Sequence, residues 1–139
     1  KMFGYNPVIA MLSYSNFGSS NHPMANKVER AVKFLNRIKP ELVIDGPIQS
    51  DFALNKMMLK NKFDDSKLGN QKVNILVFPN LDAANITYKV IKELDGAKSI
   101  GPIMMGMDKP VHVLQLKASV EEIVNMSAIA VVDAQSRKE

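Results

Sequence analysis

Short runs of apolar residues alternate along this chain with stretches whose apolar residues recur every three or four positions, the pattern of strands separated by helices. Val8–Leu12 reads as a buried strand. After the turn residues Gly18-Ser19-Ser20, Asn21 is placed to cap a helix entering near Pro23, with Met24, Val28, Ala31, Val32, Leu35 and Ile38 on its apolar face. Pro40 marks its end. Leu42–Ile44 is the next short strand, closed by a turn at Asp45-Gly46-Pro47, and a helix is expected from near Gln49 through Ala53 and Met57. Asp64–Asn70 reads as a polar loop and Val73–Phe78 as the clearest strand. Pro79 ends that strand before a helix from about Asp82, which carries Ala83, Ile86, Val90, Ile91 and Leu94 on one face and stops at Gly96. Ile100–Met107 and Val111–Leu114 are further extended candidates, and Ser119–Ala134 is the last helix. This order predicts an α/β fold with a mainly parallel sheet and helices on both faces.

Composition narrows the class. The 139 residues, 46% apolar and 23% charged, have the size and balance of one ordinary globular domain. Nine methionines are spread through apolar stretches and read as core filler. Cysteine is absent, which excludes disulfides and thiolate chemistry. No apolar run approaches the ~20 residues of a membrane helix, so a cytoplasmic location without membrane association is the default expectation. The net charge of +4 comes mostly from scattered lysines, with Arg30, Arg37 and Arg137 as the arginines. There is no basic block, zinc pattern or aromatic platform, so nucleic acid is not an expected partner.

A set of motifs extends along nearly the whole chain: Pro7–Ser19, Asp45-Gly46-Pro47-Ile48-Gln49, Phe78-Pro79-Asn80-Leu81 with Asn85 and Tyr88-Lys89, Gly101-Pro102, and Lys109-Pro110-Val111. Their order and spacing resemble those of phosphotransacetylases, which move an acetyl group between coenzyme A and phosphate. In that family the turn after the Lys-Pro-Val strand carries Ser-Arg, and an Asp follows in the first turn of the next helix. Here those positions hold Gln115, Leu116 and Glu122, and a further family arginine falls on Glu93. Arginine neutralises phosphate oxygens with a planar fork, which neither leucine nor glutamate can do. The Val113-Leu114-Gln115 variant and the ending Asn125–Gln135 are similar to the C-terminal, phosphotransacetylase-like domain of NADP-dependent malic enzymes.

The resemblance implies a three-layer α/β/α fold of the isocitrate/isopropylmalate dehydrogenase-like (phosphotransacetylase) type. Residues 1–103 would form an inserted α/β lobe and 104–139 a return segment of a first lobe that is incomplete within these residues. The abrupt start at Lys1-Met2 fits part of something longer. Functionally it implies a regulatory domain that binds acetyl-CoA as effector, pairs into homodimers and higher oligomers, and is itself inactive in acetyl transfer. The parent would decarboxylate malate oxidatively to pyruvate, with NADP and a divalent metal (Mg or Mn) held outside this segment. The alternatives are an active phosphate acetyl/butyryltransferase and a purely structural dimerisation domain.

Candidate ligand residues follow from strand ends and from the resemblance together. Ser13, Ser15, Gly18 and Ser19 lie between a strand and a helix, where backbone N–H groups and hydroxyls can cradle an anion, or where serines simply satisfy turn hydrogen bonds. Asn85 and Lys89 share a helix face, and Gly101 and Pro102 complete the set implied for the cleft. Ser119-Val120-Glu121-Glu122 fits a capping box, which accounts for Glu122 more simply than catalysis does. His112 reads as a satisfied structural histidine and His22 as a neighbour of a helix start. No catalytic residue and no metal-ligand spacing is identified.

Overall fold

The computed structural model describes residues 4–69, 71–96 and 99–136, so Lys1-Met2, Asn70 and Arg137 lie outside the described residues. The elements are β1 (Val8–Leu12), α1 (Pro23–Ile38), β2 (Val43–Ile48), α2 (Ser50–Leu54), α3 (Lys56–Lys62), β3 (Ile75–Val77), α4 (Leu81–Asp95) and α5 (Val120–Ser136). They fall into two compact units, Tyr5–Thr87 and the chain from Tyr88 onward.

In the first unit β1 lies between β2 and β3, and both pairings are parallel. A central parallel strand is buried on both faces, which is why β1 is an unbroken apolar run rather than an alternating one. Its side chains still divide by the two-residue period. Val8, Ala10 and Leu12 pack with Ile48, Ala53, Leu59 and Leu68 on the face covered by α2 and α3. Met11, with Ile9 beside it, packs against Val28 and Val32 of α1 on the other. Asn74 fixes the start of β1: its Oδ1 accepts the Val8 N–H at 2.8 Å and its backbone N–H donates to the Val8 carbonyl at 3.1 Å.

Several local expectations change. The cap of α1 is His22, whose Nδ1 accepts the Met24 N–H at 3.3 Å, while the Asn21 side chain accepts from Asn26 Nδ2 instead. The expected turn at Asp45-Gly46-Pro47 is part of β2, which runs on to Ile48 with a register shift against β1 between Ala10 and Leu12. Gly46 permits this. Its φ is +141°, and a Cβ there would sit 2.5 Å from the Met11 carbonyl oxygen. The helix expected through Met57 is two helices, because Asn55 leaves helical geometry and accepts the N–H groups of Met57 and Met58 as cap of α3. The 64–69 stretch is not wholly polar surface: Leu68 is buried in the core, and Ser66 Oγ donates to Asp45 Oδ2 at 2.9 Å.

In the second unit α5 forms as expected and α4 stops at Gly96, whose φ is +59°. The extended candidates at 100–107 and 111–114 pair with no strand among the described residues. Much of this unit's apolar surface is uncovered, including Val90 and Leu94 on α4 and Val120 and Val124 on α5.

The crowding at Gly46 leads to a measurable expectation. Gly46→Ala should lower unfolding free energy by roughly 3 kcal/mol, combining a clash with a backbone region open only to glycine. Gly96→Ala, where a Cβ meets nothing within 4 Å, should cost only about 1–2 kcal/mol from the left-handed backbone. Urea unfolding followed by circular dichroism distinguishes them, and equal losses would contradict the close-approach argument.

Candidate functional site

The second unit encloses a cavity of about 420 Å³. Lys89, Lys92 and Glu93 reach it from α4, where spacings of three and four residues place side chains on one helix face. Beyond the stop at Gly96, Ser99, Ile100 and Gly101 form another wall, and the Ser99 Oγ lies 3.0 Å from the Tyr88 hydroxyl of α4. Leu114, Gln115 and Lys117 come from the connection to α5, and Glu122 and Met126 from α5 itself, one turn apart.

The start of α5 is fixed by the predicted capping box. The Ser119 Oγ accepts the Glu122 N–H at 3.2 Å, and Glu122 Oε2 accepts the Ser119 N–H at 2.8 Å. The other oxygen, Oε1, accepts from Lys92 Nζ at 2.9 Å, so one carboxylate caps α5 and ties it to α4. Hydrogen bonding to Lys92, then to the Ser119 N–H, holds the Glu122 carboxyl below its ordinary range, and the same pair raises the Lys92 ammonium above its own. Lys89 and Lys117 make no ion pair among the described residues. A neighbouring cavity of about 330 Å³ shares Lys92, Ser99, Lys117 and Glu122 with the first, so the ion pair lines both.

Of the family positions singled out in the sequence, Glu93, Gln115 and Glu122 come together in this cavity. Leu116 does not: its side chain is fully exposed. Lys89 and Gly101 also line the cavity, whereas Pro102, joined to Gly101 by a cis peptide bond, is exposed and does not. Ser13, Ser15, Gly18, Ser19 and Asn85 belong to the first unit. There the serine loop is closed by its own hydrogen bonds. Ser13 Oγ accepts the Ser15 N–H, Ser15 Oγ accepts the Ser20 N–H and shares a hydrogen bond with Ser19 Oγ, and Ser19 Oγ accepts the Asn16 N–H. Asn16 and Gln49 then clasp side chain to side chain and side chain to backbone. Arg30 and Arg37 lie exposed on α1.

Two charged cavity residues, Lys92 and Lys117, escaped the sequence reading. Lys92 was legible as the i+3 neighbour of Lys89, and Lys117 as the residue after Leu116. His112 also differs from expectation. Its side chain is buried, neither ring nitrogen has a hydrogen-bond partner, and its Nε2 faces Asp133 Oδ2 of α5 at 3.4 Å.

A family model described as phosphate acetyl/butaryl transferase matches residues 1–131. An NADP-dependent malic enzyme of Escherichia coli (strain K12) is 44% identical over 138 residues, covering 99% of this chain and 18% of the relative. A phosphate acetyltransferase of Clostridium acetobutylicum is 41% identical over 135 residues, covering 97% of this chain and 40% of the relative. Among solved structures, a phosphotransacetylase from Streptococcus pyogenes aligns with a TM-score of 0.88 at 36% identity, over 97% of this chain and 41% of its own. The chain thus spans less than half of each.

The Glu122 shift fixes a pH window for the tie between α4 and α5. A lowered carboxyl contributes fully above its ordinary value of 4.5 and loses that contribution as pH falls through the lower folded value. The raised ammonium contributes fully below 10.5 and loses it only above that. A carbon-detected NMR titration should therefore find Glu122 below the ordinary glutamate midpoint. In Lys92→Gln the midpoint should rise but stay depressed, because the Ser119 N–H remains; an unmoved midpoint would show that Lys92 is not the main cause.

Proposed function

This chain belongs to the phosphate acetyl/butaryl transferase family, and we propose that within it the chain is a regulatory, acetyl-CoA-binding and oligomerising domain that does not itself transfer acetyl groups. Its parent, in this reading, is an NADP-dependent malic enzyme of the cytoplasm that oxidatively decarboxylates malate to pyruvate. Residues 1–103 and 104–139 then contribute to two lobes of an isocitrate/isopropylmalate dehydrogenase-like α/β/α fold. The observation that carries the reading is the fate of the two family arginine positions: Glu93 puts a carboxylate into the cavity and Leu116 points a neutral side chain into solvent. Acyl transfer to phosphate needs preorganised donors where charge develops, and losing even one typically costs about 100- to 1,000-fold in rate. Similarity to malic enzymes over 99% of the chain supports the parent assignment.

Among the described residues no three His, Cys, Asp or Glu gather as metal ligands. In this reading the divalent metal and NADP of the parent reaction are held by residues elsewhere in that protein. No helix of the described residues is long and apolar enough to cross a membrane. The uncovered apolar side chains of α4 and α5 fit a further surface, whether the remainder of the first lobe or a second subunit.

A second reading, an active transferase, has one observation in its favour: Lys92 and Lys117 bring cations into the cavity where the family arginines are missing. A single assay separates the two. Purified protein is expected to be stabilised against heat by acetyl-CoA and not by acetyl phosphate alone, with no phosphate-dependent formation of acetyl-CoA. Lys89→Ala should weaken the acetyl-CoA effect about tenfold in concentration, as expected for one lost charge-assisted contact. Transfer at ordinary enzyme rates would establish the second reading; no response to acetyl-CoA would leave only a structural role.

A further inference from the structure

We propose that the Lys92–Glu122 ion pair is an exchangeable latch: a phosphate-type oxyanion entering the cavity draws the Lys92 ammonium away from Glu122, with Lys117 completing the cradle, and so releases α4 from α5. This deepens the reading above, since it rests on the cavity taking a phosphate-bearing ligand, and it assigns that ligand a structural consequence. The exchange involves no covalent step.

Both partners can make the change. The Lys92 side chain is 41% exposed and that of Glu122 30%, so neither is held in place by packing. A partly exposed pair contributes little to stability and is correspondingly easy to open. Lys92 has three donors on a flexible stem, and a phosphate oxyanion can meet them with several oxygens where Glu122 offers only Oε1. Glu122 is not stranded by the loss, because its Oε2 keeps the Ser119 N–H at 2.8 Å at the positive end of α5. Exchange therefore leaves no uncompensated buried charge.

The surrounding charges select the ligand. Lys89 and Lys117 line the same cavity without an ion pair of their own, and Lys92 lies three residues from Lys89 on one face of α4. With Lys92 released, three ammonium groups face an arriving oxyanion. Glu93 and Glu122 oppose it, so the cavity suits one phosphate group and not a run of them. Inorganic phosphate, an acyl phosphate and the 3′-phosphate of coenzyme A share this chemistry. The ion pair also lines the neighbouring 330 Å³ cavity, so an anion in either space meets the same ammonium.

The test follows the Glu122 carboxyl by NMR in the full chain during titration with inorganic phosphate, acetyl phosphate, acetyl-CoA and phosphate-free pantetheine. The latch requires the Glu122 midpoint to rise on saturation with a phosphate-bearing ligand, toward its value in Lys92→Gln, and to stay put with pantetheine. Glu122→Gln keeps the capping box, which accepts Gln as well as Glu, yet removes the competitor for Lys92. It should therefore bind phosphate several-fold more tightly, whereas Lys117→Gln should bind about tenfold more weakly. A purely structural ion pair predicts unchanged or weaker binding in Glu122→Gln, and that result overturns the proposal. Should acetyl-CoA bind while the Glu122 carboxyl and both variants remain indifferent, the regulatory reading stands and the latch falls. Should inorganic phosphate alone shift Glu122 with tighter binding in Glu122→Gln, the latch stands and acetyl-CoA is not its ligand.

Discussion

Glu122 has two carboxylate oxygens, and the second unit uses each for a different purpose. One satisfies a backbone donor that the first turn of α5 would otherwise leave open; the other holds an ammonium from α4. The capping interaction is local in sequence and forms with the helix itself. The ion pair spans 30 residues and forms only once α4 and α5 approach. Because both act through one rigid group, the entry of α5, the position of Lys92 and the common wall of the two cavities are set together. Displacing Glu122 from its cap would disturb all three, whereas displacing Lys92 disturbs only the last two.

Much of the fold was legible where its physics is local. β1 announces itself as an apolar run, α1 as a periodic one, and the capping box of α5 as four residues in sequence. What escaped depends on contacts between distant residues. Asp45-Gly46-Pro47 looks like a turn because these residue types favour turns. It is a strand because β1 comes so near that only glycine fits, and because Asp45 is engaged by Ser66 and Lys67 from 21 and 22 residues away. Likewise the break at Asn55 was hidden by the favourable helix formers on either side, which read as one segment.

The candidate site was legible in outline and not in charge. Substituted family positions identified where to look, and Glu93, Gln115 and Glu122 do gather there. A residue-by-residue comparison follows only aligned positions, so it registered lost arginines without registering lysines beside them. On α4, moving a cation from position 93 to 92 rotates it by about one hundred degrees around the helix axis. Both positions still reach the cavity because its α4 wall includes residues 89, 92 and 93. The serine loop shows the converse: residue types suited to an anion cradle, whose hydroxyls are already engaged with one another.

The unequal cores of the two units carry a thermodynamic consequence. Among the described residues from Tyr88 onward, Met126 is the only buried apolar residue, whereas the first unit buries apolar residues on both faces of its sheet. The heat-capacity increment of unfolding grows with newly hydrated apolar area. In the chain by itself, nearly all of that increment belongs to the first unit. Melting of α5 would pass with little calorimetric trace, and a transition temperature measured by scanning calorimetry would describe the sheet, leaving the helices around the cavity to be followed by a probe of their own.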